Sequence, residues 1–186
     1  MTENAKEAIL SAARQTAQAH GYGGLNFREL AAEVGIKAAS IYHHFPSKAD
    51  LGAAVAKRYW QDTAVALDAL LTESDPSGAL RRYPETFRRA LERDNRMCLA
   101  SFMAAEADDL PDPVKSEVRA FADVNVAWLQ KVLVAAGIVG AADGEARARA
   151  IFAAIAGAQL LARSRSDIAL YDALIETYRK AGLLPE

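Results

Sequence analysis

Leu25-Asn26-Phe27-Arg28-Glu29-Leu30-Ala31-Ala32-Glu33-Val34-Gly35-Ile36-Lys37-Ala38-Ala39-Ser40-Ile41-Tyr42-His43-His44-Phe45-Pro46-Ser47-Lys48 sets two short helix-forming runs on either side of one glycine. In the first run Asn26 offers an oxygen to the opening amides, and Glu29, three residues on, completes a capping-box arrangement. Phe27, Leu30, Ala31 and Val34 share its inner face. Gly35 supplies the tight turn. The second run extends from about Lys37 to His44 and stops before Pro46, and Ser47 with Asp50 repeats the capping signature ahead of a longer helix. Two short helices joined at a glycine turn form helix-turn-helix geometry, although an ordinary helical hairpin with a solvated polar face has the same period.

The chemistry of the second run suits a DNA major groove. Ile36, Ile41 and Phe45 are its apolar inner positions, whereas Lys37, Ala38, Ser40, His43 and His44 make a small and polar outer face that can sit deep between phosphate walls. Tyr42 and Lys48 flank that face with a hydroxyl and an ammonium suited to phosphate oxygens. The following helix presents free backbone amides at its start.

Outside this stretch apolar residues recur at helical spacing, alanine is abundant and no alternating strand pattern occurs, so the chain reads as all-α with about nine helices. A first helix spans about residues 3–20 and ends at Gly21-Tyr22-Gly23-Gly24. A fourth runs to about Leu71. Asp75-Pro76 opens a fifth that Pro84 kinks on the way to Arg93, and a sixth covers about Met97–Ala107. Asp112-Pro113 starts a seventh ending at Gly137, Gly144 opens an eighth reaching Arg163, and Asp167 caps a ninth that runs to Gly182. The expected division is a three-helix DNA-binding domain over residues 1–50 and a larger helical bundle over 51–186.

The composition, 52% hydrophobic and 25% charged, is that of a folded globular chain. A net charge of only −2 excludes an overall basic field, but residues up to Arg58 carry a net +2 and the remainder a net −4. The start Met1-Thr2-Glu3-Asn4 has neither the basic nor the apolar region of a secretory signal, and the longest apolar stretch, Ile151–Ala162, is too short to cross a bilayer. Cys98, alone, cannot form an intrachain disulfide, so a cytoplasmic protein with no membrane partner is expected.

The string from Leu25 to Lys48, with its two caps and its Tyr-x-x-Phe-Pro-Ser-Lys ending, resembles the DNA-binding domain of the TetR/AcrR family over about residues 5–55. Beyond that span the likeness rests on helix count and length. The resemblance implies that Asn26 and Arg28 meet the DNA backbone, that Ala38, Ala39, Ser40 and His43 approach base edges, and that Tyr42, His44 and Lys48 hold phosphates. It departs at Asn26 and Lys37, where the family usually has hydroxyl residues, and at Ala39, often glycine. Asn26 keeps a capping oxygen. Lys37 does not, but adds a charge that can reach a phosphate or a guanine.

One module contacts only a few base pairs, so a homodimer on a palindromic double-stranded operator is expected. The eighth helix, apolar nearly all round from Ala150 to Leu161, and the ninth, with Ile168, Tyr171, Leu174, Ile175 and Tyr178, nominate residues 144–182 as the dimer interface, in line with the family's usual four-helix bundle. A monomeric core helix has the same pattern. In the family the middle helices surround an inducer cavity, which makes Trp60, Tyr83, Phe87, Cys98, Phe102, Asn125 and Trp128 candidates for a small-molecule pocket of unknown ligand class. Asn125 serves equally well as a satisfied core residue. Cys98 resembles the sensing cysteine of one subgroup, with Arg93 and Arg96 nearby to favour thiolate, while a buried lone cysteine is also an inert small hydrophobe.

The expected function is therefore a sequence-specific transcriptional regulator, a repressor released by a small ligand or by modification of Cys98. An enzyme is not expected: no phosphate loop, nucleophile elbow or paired metal-ligand spacing occurs, and adjacent His43 and His44 diverge on a helix. Neither a catalytic residue, nor a metal, nor a cofactor is assigned. A helical interaction protein without specific DNA binding is the alternative.

Overall fold

The helix starts follow the local chemistry of the chain. The computed structural model describes residues 2–185, and within them lie ten helices and no strand: α1 (Thr2–His20), α2 (Phe27–Val34), α3 (Ala38–His44), α4 (Lys48–Glu73), α5 (Pro76–Arg82), α6 (Glu85–Glu92), α7 (Leu99–Ala105), α8 (Asp112–Ala135), α9 (Gly144–Arg165) and α10 (Ile168–Lys180). Asp75 Oδ1 accepts from the Gly78 amide at 2.6 Å and Asp167 Oδ1 from the Leu170 amide at 3.1 Å, each satisfying a donor that the first helical turn leaves free.

Two boundaries differ from expectation. Pro84 does more than kink a fifth helix: it separates α5 from α6, because it has no amide to give the preceding turn, and the chain tightens to Thr86 N–H···O Tyr83 contacts at 3.1 Å. α7 begins at Leu99 instead of Met97, because the Cys98 amide donates to the side chain of Gln159 at 2.9 Å.

Packing divides the chain into two compact units, Met1–Gln61 with Leu99–Phe121, and Asp62–Cys98 with Ala122–Glu186. α4 and α8 supply residues to both. In the first unit α1 packs on α2, α3 and α7 around Ile9, Ala13, Leu30, Ile41, Leu51, Val55 and Met103, all buried. In the second, α9 packs on α10 and α6 around Tyr83, Phe87, Leu129, Leu133, Ile151, Ile155 and Tyr171. No helix of the described residues is long and apolar enough to cross a membrane.

In the second unit the buried side chains of Tyr83, Asn125, Tyr171 and Gln159 all have partners. The Tyr83 hydroxyl donates to Asn125 Oδ1 at 2.8 Å, the Tyr171 hydroxyl donates to the Pro84 carbonyl at 2.7 Å, and the Gln159 amide donates to the Phe87 carbonyl at 2.6 Å. Burial pushes the Tyr83 and Tyr171 phenols well above the ordinary tyrosine value. In the unfolded chain both titrate near pH 10, so the stability they contribute is complete below that pH and is lost as pH rises above it. The melting temperature should hold level up to about pH 9 and fall above about pH 10. Tyr171→Phe should remove part of that alkaline fall, at a cost of about 1 kcal/mol at neutral pH from the lost hydrogen bond, since the Pro84 carbonyl keeps the Phe87 and Arg88 amides. An alkaline slope unchanged in the variant, read by thermal unfolding, would contradict this assignment.

Candidate nucleic-acid interface

α3 is pinned from beneath and open above. Ile41 and Phe45 are buried in the first unit's core, whereas Lys37, Ala39, Tyr42 and His43 are exposed and Ala38, Ser40 and His44 half-buried. Helical spacing produces this division, since the apolar positions 41 and 45 are one turn apart and the polar and small ones fall between them.

The local turns set the angle between α2 and α3. Asn26 Oδ1 accepts from the amides of Arg28 at 2.9 Å and Glu29 at 3.4 Å, which starts α2. Gly35, at φ +75°, takes the left-handed conformation that ends it, and the Ile36 amide returns to the Ala31 carbonyl at 2.9 Å. Lys37 stands at the N-cap of α3 and makes no side-chain cap, so its ammonium is left for other partners. Ser47 Oγ accepts from the Asp50 amide at 3.2 Å and donates to Asp50 Oδ2 at 2.6 Å, which starts α4.

Two hollows open on this side of the unit. A cleft of about 330 Å³ is lined by Leu25, Asn26, Phe27, Arg28, Tyr42 and Lys48. In it the exposed Tyr42 ring stands edge-on to Phe27, centroids 4.7 Å apart, which holds the phenol upright. Lys48 Nζ donates to the Gly23 carbonyl at 2.9 Å and sits 4.8 Å from the centroid of the Tyr22 ring, and an ammonium has two further protons to donate. A second hollow of about 440 Å³ runs from Ala5 along Lys37, Ala39, Ser40, His43 and His44. All ten residues expected at DNA thus line one of the two hollows or the α3 surface.

The expected ligand-pocket residues do not all come together. Tyr83, Phe87, Asn125 and Trp128 do: the Tyr83 and Trp128 rings stack at 5.6 Å, and Phe87 stands edge-on to Tyr83 at 6.0 Å. The Trp128 indole N–H is buried with no hydrogen-bond partner. Cys98, 2% exposed, belongs to the same unit. Trp60 and Phe102 fall in the other unit, where Trp60 Nε1 donates to Glu117 at 2.7 Å. Sequence reasoning gave no role to Gln159, whose only signal was one amide in an apolar helix, or to Glu106 as a partner of the α1–α2 turn, for which no local signal exists.

The family model for bacterial regulatory proteins of the tetR family matches residues 9–55, the span that contains α2 and α3. A TetR-family transcriptional regulator from Agrobacterium tumefaciens is 30% identical, with a TM-score of 0.88, over 97% of this chain and 98% of that one. The chain belongs to the TetR family. A TetR regulator from Legionella pneumophila is similar too, at 27% identity and a TM-score of 0.88 over 95% of this chain and 96% of that one. No curated protein sequence matches. As a TetR-family protein the chain is a DNA-binding transcriptional regulator, all-α, with its helix-turn-helix in the N-terminal part and a larger helical part beyond it.

Proposed function

We propose that this TetR-family protein is a homodimeric repressor acting in the cytoplasm, which binds a palindromic operator and releases it when a small molecule occupies the second unit. The observation that carries the reading is α3 itself, with Ile41 and Phe45 buried beneath and Ala39, Tyr42 and His43 exposed above. Residues 1–50 act as the reading head and 51–186 as the dimerisation and effector part. Lys37, Ala38, Ala39, Ser40 and His43 meet base edges, while Asn26, Arg28, Tyr42, His44 and Lys48 hold phosphates.

A second copy of this chain binds across residues 144–182. Along α9 the exposed positions Ala146, Ala150, Ala153, Gly157, Leu160, Leu161 and Ser164 recur every three or four residues, a stripe that lets two helices approach closely. The effector lies among Tyr83, Phe87, Asn125 and Trp128, where a buried indole N–H without a partner favours a ligand carrying a hydrogen-bond acceptor. Cys98, 2% exposed, is shielded from reagents in solution, which favours ligand binding as the trigger.

Selection of genomic fragments by the purified protein at near-physiological salt tests the reading. A palindromic site should be retained. Tyr42→Phe should then weaken binding to all sequences by a similar factor, about threefold to tenfold, whereas His43→Ala should change which bases are preferred. Retention of random fragments only, or equal affinity of both variants for every site, would favour the interaction-protein reading instead.

A further inference from the structure

The turn between α1 and α2 is held by a carboxylate from far along the chain. Gly21, at φ +69°, takes the left-handed conformation that swings the chain out of α1, and the amides of Tyr22 and Gly23 then point the same way. Consecutive amides in such a turn form a small concavity that attracts an anion. Here the anion is Glu106, just beyond the end of α7: its Oε2 accepts from the Tyr22 amide at 2.7 Å and its Oε1 from the Gly23 amide at 3.4 Å. The fit is close, because a Cβ on Gly21 would stand 2.3 Å from the carboxylate oxygen.

The opposite side of the same turn is held by α4. Lys48 donates to the Gly23 carbonyl at 2.9 Å with its ammonium over the Tyr22 ring, and Gly52, one turn further along α4, leaves the space that the ring fills. A Cβ on Gly52 would stand 2.7 Å from that ring. The turn also feeds directly into α2: the Leu25 amide bonds to the Tyr22 carbonyl at 3.1 Å, and the next residue, Asn26, caps the helix. One short turn therefore locates Lys48, Asn26 and Arg28, the three polar residues that line the cleft together with Tyr42.

We propose that Glu106 is a positioning residue for DNA binding: its carboxylate fixes the α1–α2 turn to the end of α7, and so sets where the phosphate-binding groups stand. It touches no DNA itself. A displacement of α7 that draws the carboxylate off the two amides loosens the turn, and lowers operator affinity without altering any DNA-contacting side chain. The inference rests on the DNA-binding reading above.

The test compares wild type, Glu106→Ala and Glu106→Gln on the retained genomic site, with thermal unfolding and oligomeric state measured alongside. Glu106→Ala should raise the operator dissociation constant about tenfold, the equivalent of one charge-assisted hydrogen bond. It should also flatten the dependence of affinity on salt by about one phosphate contact, which loss of stability alone does not do. Glu106→Gln keeps one acceptor oxygen and should restore most of the affinity. Wild-type affinity in Glu106→Ala would overturn the proposal. So would weaker binding with an unchanged salt slope, or binding that follows only the melting temperature in both variants. Wild type that retains no specific DNA would refute the function reading itself, and this inference with it.

Discussion

Gly157→Arg should yield a folded monomer that binds operator DNA about a hundredfold more weakly than the parent. The position is exposed near the centre of the α9 stripe, and a Cβ built there meets nothing within 4 Å. Within one protomer the change removes no contact, and replacing an interior helical glycine by arginine favours the helix by up to about 1 kcal/mol. Across a two-fold axis the same side chain brings two guanidinium groups into a contact of alanine, glycine and leucine, where there is neither room nor a counter-charge. Once the copies part, each reading head binds its half-site alone, and the gain of about a hundredfold or more from linking two weak sites disappears. Light scattering reads the mass, far-ultraviolet circular dichroism the helix content, and titration of a labelled operator the affinity. A variant that stays dimeric with full affinity would move the interface away from α9.

The largest effect on stability is expected at Gln159. It is fully buried, accepts from the Cys98 amide, which lies ahead of α7, and donates to the Phe87 carbonyl of α6. Gln159→Leu conserves volume and adds apolar surface, but leaves the Cys98 amide without its side-chain partner in the core, at about 1–3 kcal/mol, and removes the hydrogen bond to the Phe87 carbonyl, at about 1 kcal/mol. For a chain of this length that corresponds to a fall in melting temperature of roughly 5–15 °C. The comparison needs equal protein concentrations, because the proposed assembly would also raise apparent stability. A leucine variant that melts with the parent would mean that water or a rearranged turn serves the Cys98 amide instead.

The parts of the molecule legible in the sequence are those fixed over three or four residues. Asn26, Gly35, Ser47 with Asp50, Asp75 and Asp167 all cap or end helices where local chemistry places them, and the burial of Ile41 and Phe45 follows from helical spacing. What escaped was decided at a distance. α7 starts late because of a side chain 61 residues further on, and the α1–α2 turn closes on a carboxylate 84 residues away. Periodicity marks Trp60 and Phe102 as inward-facing, as it does Trp128, but it carries no information about which of two cores each residue enters. Pro84 falls between these cases: its missing amide announces a break, while Tyr83 and Pro84 both keep right-handed helical dihedrals, so that α6 follows directly on α5.

The burial of Cys98 has a practical consequence for testing the proposed release from DNA. A chain whose single thiol is 2% exposed is a silent background for site-directed labelling. A cysteine introduced at Ala39 would be the one accessible attachment point in each protomer, on the outer surface of α3. In a symmetric pair, spin labels at that position report a single distance. That distance, measured by pulsed electron resonance with and without candidate effectors, follows the separation of the reading heads directly, without DNA in the sample.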